Sequence, residues 1–259
     1  MKDEFIRVRG YWRPWTDGLL RLNPEFLGAY AGYAGYPAAT GPLSRKMCEL
    51  IYVALDGSAT HLFRSGLALH MGLALESGAS AQEIIEVLQL ATAQGLDGCN
   101  LGVEILVEEL ASAGRDTALP YGELSAEQNG LRDNYQARFG DWPGFCDHLL
   151  RLDPGYFAVM FDLLSVAPPA NGLDEKSRGL ISVALSACFT SLNPHGLRLQ
   201  IRRALRSGTE HREILQVLQM TAHLGVHACA VGVPLLLEAI GETPGGGERE
   251  APTKARPHV

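Results

Sequence analysis

LSRKMCELIYVAL, residues 43–55, carries apolar side chains at Met47, Leu50, Ile51, Ala54 and Leu55, the three-and-four spacing that lines one face of a helix. Ser44 stands just ahead of that face, where a side-chain oxygen can cap the first free backbone N–H groups. The pattern returns 130 residues later as LDEKSRGLISVAL, residues 173–185, with Asp174 in the capping place and Leu180, Ile181, Ala184 and Leu185 on the face. The same offset, without a gap, pairs Gly10 and Trp12 with Gly140 and Trp142. It also pairs Leu19, Leu20, Arg21 and Leu22 with Leu149, Leu150, Arg151 and Leu152, and Glu83, Ile84, Val87 and Leu88 with Glu213, Ile214, Val217 and Leu218. About a third of positions 10–108 are identical to those 130 residues on, which marks a duplicated unit.

Each unit reads as helices throughout. SAQEIIEVLQLATAQGL, residues 80–96, opens with Ser80 and Glu83 in capping-box spacing before an apolar stripe. Gly78 and Gly208 take the place just past the end of the preceding helix, where a left-handed backbone is cheapest for glycine. Earlier helices are expected around 17–36 and 147–166, and no stretch sustains the alternation of a strand. The predicted class is therefore all-α, with two tandem helical units packed as one pseudo-symmetric whole. Their expected bounds are 10–112 and 140–241, joined by a linker over 113–139. The stretch 242–259, rich in Gly, Pro and charge, is predicted to be disordered.

At 259 residues, 46% hydrophobic and 20% charged, the chain can bury a sizeable core. The formal charge of −7, with lysines and arginines scattered, argues against a nucleic-acid partner. No apolar run reaches the roughly 18 to 20 residues of a membrane-spanning helix and the N-terminal stretch lacks a secretory pattern, so no membrane partner and a cytoplasmic location are expected. Five cysteines with no CxxC among them read as reduced, mostly buried residues.

The order of LSRKMCELIYVAL, THLFRSGLALHMGLALESG, AQEIIEVLQL and GLDGCNLGVEILVEEL, with its second version in LRLQIRRALRSG, HREILQVLQM and GVHACAVGVPLLLEAI, resembles the carboxymuconolactone decarboxylase family. That family's other branch holds the alkylhydroperoxidase-D-like proteins, whose helical fold the resemblance implies for both units. The peroxidase branch uses a CxxC followed by a histidine, since it needs a thiolate and a resolving thiol. Here Phe63 and Gly66, and in the second unit Asn193 and Gly196, stand in those places. The resemblance therefore implies decarboxylase-like chemistry, with no metal or organic cofactor.

Loss of carbon dioxide needs a carboxylate anchor, a sink for electrons and a proton donor for the carbon left behind. Histidine suits the proton step because its ordinary pKa of about 6.5 lies near working pH. His70 holds the family's histidine position, eight residues before Gly78. His61, on the link before that helix if the helix begins near Arg64, can fold back towards the same pocket, although a cap or surface role suits it equally. Glu49 can orient a histidine, or simply sit solvated near a helix start. Arg64 can grip a carboxylate, or form a surface ion pair.

In the second unit Ser191, Gln200 and Gly179 replace His61, His70 and Glu49, so a second centre of the same kind is not expected. That unit instead has His223 and His227 where the first has Ala93 and Asp97; four residues apart, they share a helix face. His227, with His223, is expected to line the pocket of His70, with partly exposed helix positions as the alternative. No metal site is expected, because the Glu of an HExxH pattern is missing and His61 and His70 lack local ligand spacing.

The expected function is a cofactor-independent lyase for a small organic acid or lactone, with His70 as general acid or base, His61 and Glu49 assisting, and Arg64, His227 or His223 holding the anion. The alternatives are a non-catalytic helical binding or assembly module and a thiol-dependent hydroperoxide reductase. The resemblance also implies a homo-oligomer, a dimer or trimer for a tandem chain.

Overall fold

Ser44 accepts a hydrogen bond from the Met47 N–H at 3.2 Å and Asp174 one from Ser177 at 2.7 Å, so both copies of the deciding stretch begin where the sequence places them. A computed structural model describes residues 1–115 and 120–243. Seven helices, α1 (Lys2–Arg9), α2 (Pro14–Leu22), α3 (Pro24–Thr40), α4 (Arg45–Asp56), α5 (Arg64–Glu76), α6 (Ala81–Thr92) and α7 (Gly95–Ser112), recur in the same order. Their counterparts are α8 (Ala126–Phe139), α9 (Gly144–Leu152), α10 (Pro154–Ser165), α11 (Glu175–Ala187), α12 (Pro194–Arg206), α13 (His211–Thr221) and α14 (His227–Ala239). A 3-10 turn over Ala222–Val226 precedes α14. Among the described residues there is no strand.

The central helices α4 and α11 pack on each other, with Leu50, Ile51, Leu180 and Ile181 almost wholly removed from water. Burying each such side chain contributes about 2 kcal/mol. Thr60 and Thr190, equivalent residues of the two copies, meet through their hydroxyls at 2.7 Å. A residue touching its own repeat is what a pseudo-twofold axis requires.

Two satellite cores show how the copies interlock. Phe5, Trp15 and Leu19 of the first copy pack against Val226, Val233 and Leu237 of the second. Reciprocally, Leu149, Leu150 and Phe157 pack with Leu96 and Val103 of α7. Each copy thus lends its last helix to the other, and any cleft beside α14 or α7 is walled by both.

Two expectations change. Residues 126–139, expected within the linker, form α8, the counterpart of α1; Tyr135 there is buried among aromatics as Phe5 is in α1. The weak apolar pattern of α8 hid it, since Tyr135 is its only fully buried side chain. The helical run His211–Ala239 has a mean hydropathy of 1.6, long and apolar enough by composition to cross a membrane, contrary to the expectation from the sequence. The 3-10 turn interrupts it, and Ile214, Val217, Met220, Leu224 and Leu237 bury their side chains inside the protein. The predicted disorder of 242–259 falls almost entirely outside the described residues; Glu242 and Thr243 are held by Arg21.

Candidate active site

Helix α4 presents Glu49, Tyr52 and Asp56 at i, i+3 and i+7, one face of the helix, and all three are buried. Charged side chains on a buried face need partners, and α5 supplies the first. His70 Nδ1 lies 2.7 Å from Glu49 Oε2, and both groups are under a tenth exposed. A carboxylate can only accept, so Nδ1 carries the proton and Nε2 keeps its lone pair. The Tyr52 ring stacks on His70 with centroids 4.6 Å apart, and Tyr11 meets the imidazole edge-on. Burial lowers the His70 pKa; the Glu49 carboxylate pulls it back up only in part. The imidazole is therefore neutral at pH 7, with the carboxylate positioned to stabilise it when it gains a proton.

Behind the dyad lies a relay of a different kind. Arg9 of α1 donates to the Ala34 carbonyl at 3.0 Å and to the Tyr52 hydroxyl at 3.1 Å. Since guanidinium only donates, the Tyr52 proton goes to His223 Nδ1, 2.7 Å away. Burial pushes the Tyr52 hydroxyl up to about 12, so it stays protonated, and pushes His223 down to about 3 with help from the Arg9 charge. His223 is thus a buried, neutral support rather than a cavity residue.

The remaining histidines meet across the two copies. The link before α5 turns back at Leu62, held at a φ of +47°, and its repeat Leu192 turns likewise at +35°. That turn brings His61 Nε2 to 2.7 Å from Nδ1 of His227, the first residue of α14, and the two rings lie parallel with centroids 4.9 Å apart. Phe63 covers His227 at 3.9 Å. Asp56 Oδ1 lies 3.7 Å from His227 Nε2, beyond hydrogen-bonding range, and neither carboxylate oxygen has a partner. Burial pushes the Asp56 carboxyl up to about 8 against the pull of Arg9, and burial together with the His61 and His70 charges pushes His227 down to about 3. Asp56, His61 and His227 are the group here that could hold a metal ion.

These elements enclose a cavity of about 200 Å³, with His70 and His227 on its wall beside Arg13, Ser65, Trp15 and Leu69. It is smaller than the roughly 300–1,000 Å³ typical of drug-sized ligand sites. All its lining residues except Tyr11 have counterparts, 130 positions away, that line or border a second cavity of about 400 Å³ under α12. There Gln200 stands for His70, Asp97 for His227, Asn193 for Phe63 and Pro143 for Arg13. The duplicated fold thus makes two clefts, and the histidine–carboxylate dyad belongs to the first.

His70, Glu49, His61 and His227 come together at or beside the cavity. Arg64 does not: as the first residue of α5 it is exposed and turned away from the wall, so the cation there is Arg13. His223 is set back behind Tyr52. Sequence reasoning missed Arg9, Arg13, Tyr52 and Asp56. The signal was available, because the repeat has Phe139, Pro143, Ser182 and Ser186 in their places, the same loss of polarity that marks Glu49 and His70. All five cysteines are free. None stands at Phe63 or Gly66, and burial pushes the Cys48 thiol up to about 11 and Cys146 to about 12, which leaves them poor nucleophiles.

The model of the carboxymuconolactone decarboxylase family matches residues 24–98, a span that holds Glu49, His61 and His70 but not His223 or His227. Among solved structures, one named as a gamma-carboxymuconolactone decarboxylase subunit from Burkholderia xenovorans is 34% identical, with a TM-score of 0.86 over 92% of this chain and 95% of that one. No curated protein matches the chain.

Proposed function

Because this chain belongs to the carboxymuconolactone decarboxylase family, we propose that it is a lyase for a small organic acid or lactone, with His70 as general acid–base in the cavity between the two copies. The observation that carries this reading is the buried Glu49–His70 dyad, whose remaining ring nitrogen is available on a cavity wall. Arg13 supplies the countercharge for a carboxylate. His70 takes a proton from solvent at Nε2, and Glu49 stabilises the imidazolium. The carbon–carbon bond to the carboxylate breaks, carbon dioxide leaves, and the electron pair passes into the conjugated carbonyl. The carbon left behind then takes its proton from His70, which restores the neutral imidazole. The proton chemistry draws on side chains alone.

Carbon dioxide release from a panel of small unsaturated acids and lactones, carboxymuconolactone among them, tests this. The wild-type chain is expected to turn over at least one member. His70→Ala is expected to lose about 10²- to 10⁴-fold in kcat and, because Glu49 is left buried without its partner, to melt lower while still folding. Arg13→Ala is expected to act mainly on KM. An undiminished rate in His70→Ala overturns the assignment, and no turnover of any acid favours a non-catalytic binding module.

A further inference from the structure

Asp56 is 1% exposed, and both its carboxylate oxygens lack any hydrogen-bond partner. Buried polar groups are almost always satisfied, so a buried carboxylate facing two imidazoles without touching either calls for a reason. Helix α5 packs closely on it. A Cβ on residue 66 would fall 2.2 Å from Asp56 Oδ2, so Gly66 is the residue that fits there. Each of Asp56, His61 and His227 offers a ligand atom, and these three atoms lie within 4.8 Å of one another. In a tetrahedral site with bonds of about 2.1 Å, ligand atoms stand about 3.4 Å apart; His227 meets His61 through Nδ1 and Asp56 through Nε2, so seating one ion requires the His227 ring to turn as well as His61 to draw back.

The repeat adds an independent observation. At the equivalent cleft Asp56 is replaced by Ser186, His61 by Ser191 and His227 by Asp97. The donors at the end of α4 and on the link are lost there together, while Asp97 keeps a carboxylate in the place of His227.

We propose that Asp56, His61 and His227 form a site for one divalent transition-metal ion of the zinc class. Two imidazoles and one carboxylate suit such an ion better than calcium or magnesium, which favour oxygen ligands throughout. Three protein ligands leave a coordination position open, and His227 places it at the cavity, where the carboxylate of a small acid can bind. The site stands whether or not His70 acts in the reaction. Its ligands, drawn from distant parts of the chain, carry no local spacing, which is why no metal was legible in the sequence.

Zinc chloride, titrated calorimetrically into the chelator-treated, tag-free full chain, tests it. One ion per chain is expected, with a Kd below about 1 µM, and Asp56→Asn and His61→Ala are each expected to weaken binding about a hundredfold or more. His61 lies on a half-exposed link, so His61→Ala tests the site even if Asp56→Asn fails to fold. His70→Ala, which removes turnover under the lyase reading, is expected to leave zinc affinity unchanged. In zinc-soaked crystals the anomalous peak is expected among the three side chains. Absence of binding, wild-type affinity in His61→Ala, or a peak elsewhere overturns the proposal.

Discussion

His223 shows how a buried neutral histidine couples stability to pH. Its pKa is about 3 in the folded chain against about 6.5 when unfolded, chiefly through burial. Between those values the unfolded state binds the extra proton, so this group's contribution is intact above about pH 6.5 and is lost as pH falls towards 3. Asp56 acts with the opposite sign, because its folded pKa is raised to about 8. Comparing His223→Gln with the wild type isolates the first effect. The variant is expected to lose stability less steeply between pH 6.5 and 4, by about 1.4 kcal/mol per pH unit, as read from urea midpoints at each pH. At this scale the sequence was legible where side chains differ between the copies and lie in or next to a motif, as His70 and Glu49 do. It misled at Arg64, because a helix start can present its first residue to solvent or to a cleft and spacing does not decide which. Arg9 and Tyr52 were missed because partners 43 and 171 residues apart in sequence leave no local trace, so that only their replacement in the other copy marks them.

Among the elements, α14 matters most to the site, since it carries His227 into the first copy's cavity and rests on α2. Gly18 sets that approach: a Cβ there would lie 2.3 Å from Val233 Cγ1 and 3.0 Å from Leu237 Cδ1. Gly18→Ala is therefore expected to push α14 outward and to destabilise the chain by about 1–3 kcal/mol, seen as a lower melting temperature. A variant that melts as the wild type does would show that α14 is not held this closely. Helix starts and stops were the most legible features of the sequence. Ser80 and Glu83 form the reciprocal cap that their spacing implies, and Gly78 and Gly208 take left-handed backbones at +88° and +82°. Which helix packs against which was not legible. The exchange of α7 and α14 between copies depends on tertiary contacts that periodicity leaves open.

For the molecule as a whole, duplication supplies a symmetric scaffold on which only one of two clefts carries the dyad. The outer faces have stayed alike: Leu101, Ile105 and Leu106 on α7 and their equivalents Val231, Leu235 and Leu236 on α14 are all about half exposed. Two matching apolar faces support a homo-oligomer, expected by light scattering as a dimer or trimer, and Ile105→Glu with Leu235→Glu is expected to shift it towards monomer. A monomeric wild type would contradict this. The central claim is the asymmetry of the clefts, and replacing the equivalent residues His70 and Gln200 in turn tests it most directly. In kcat/KM measurements on whichever acid the wild type decarboxylates, His70→Gln, which gives the first cleft the residue of the second, is expected to lose about 10²-fold or more, while Gln200→Ala stays at the wild-type value. Retained activity in His70→Gln, or an equal loss in Gln200→Ala, would contradict that asymmetry.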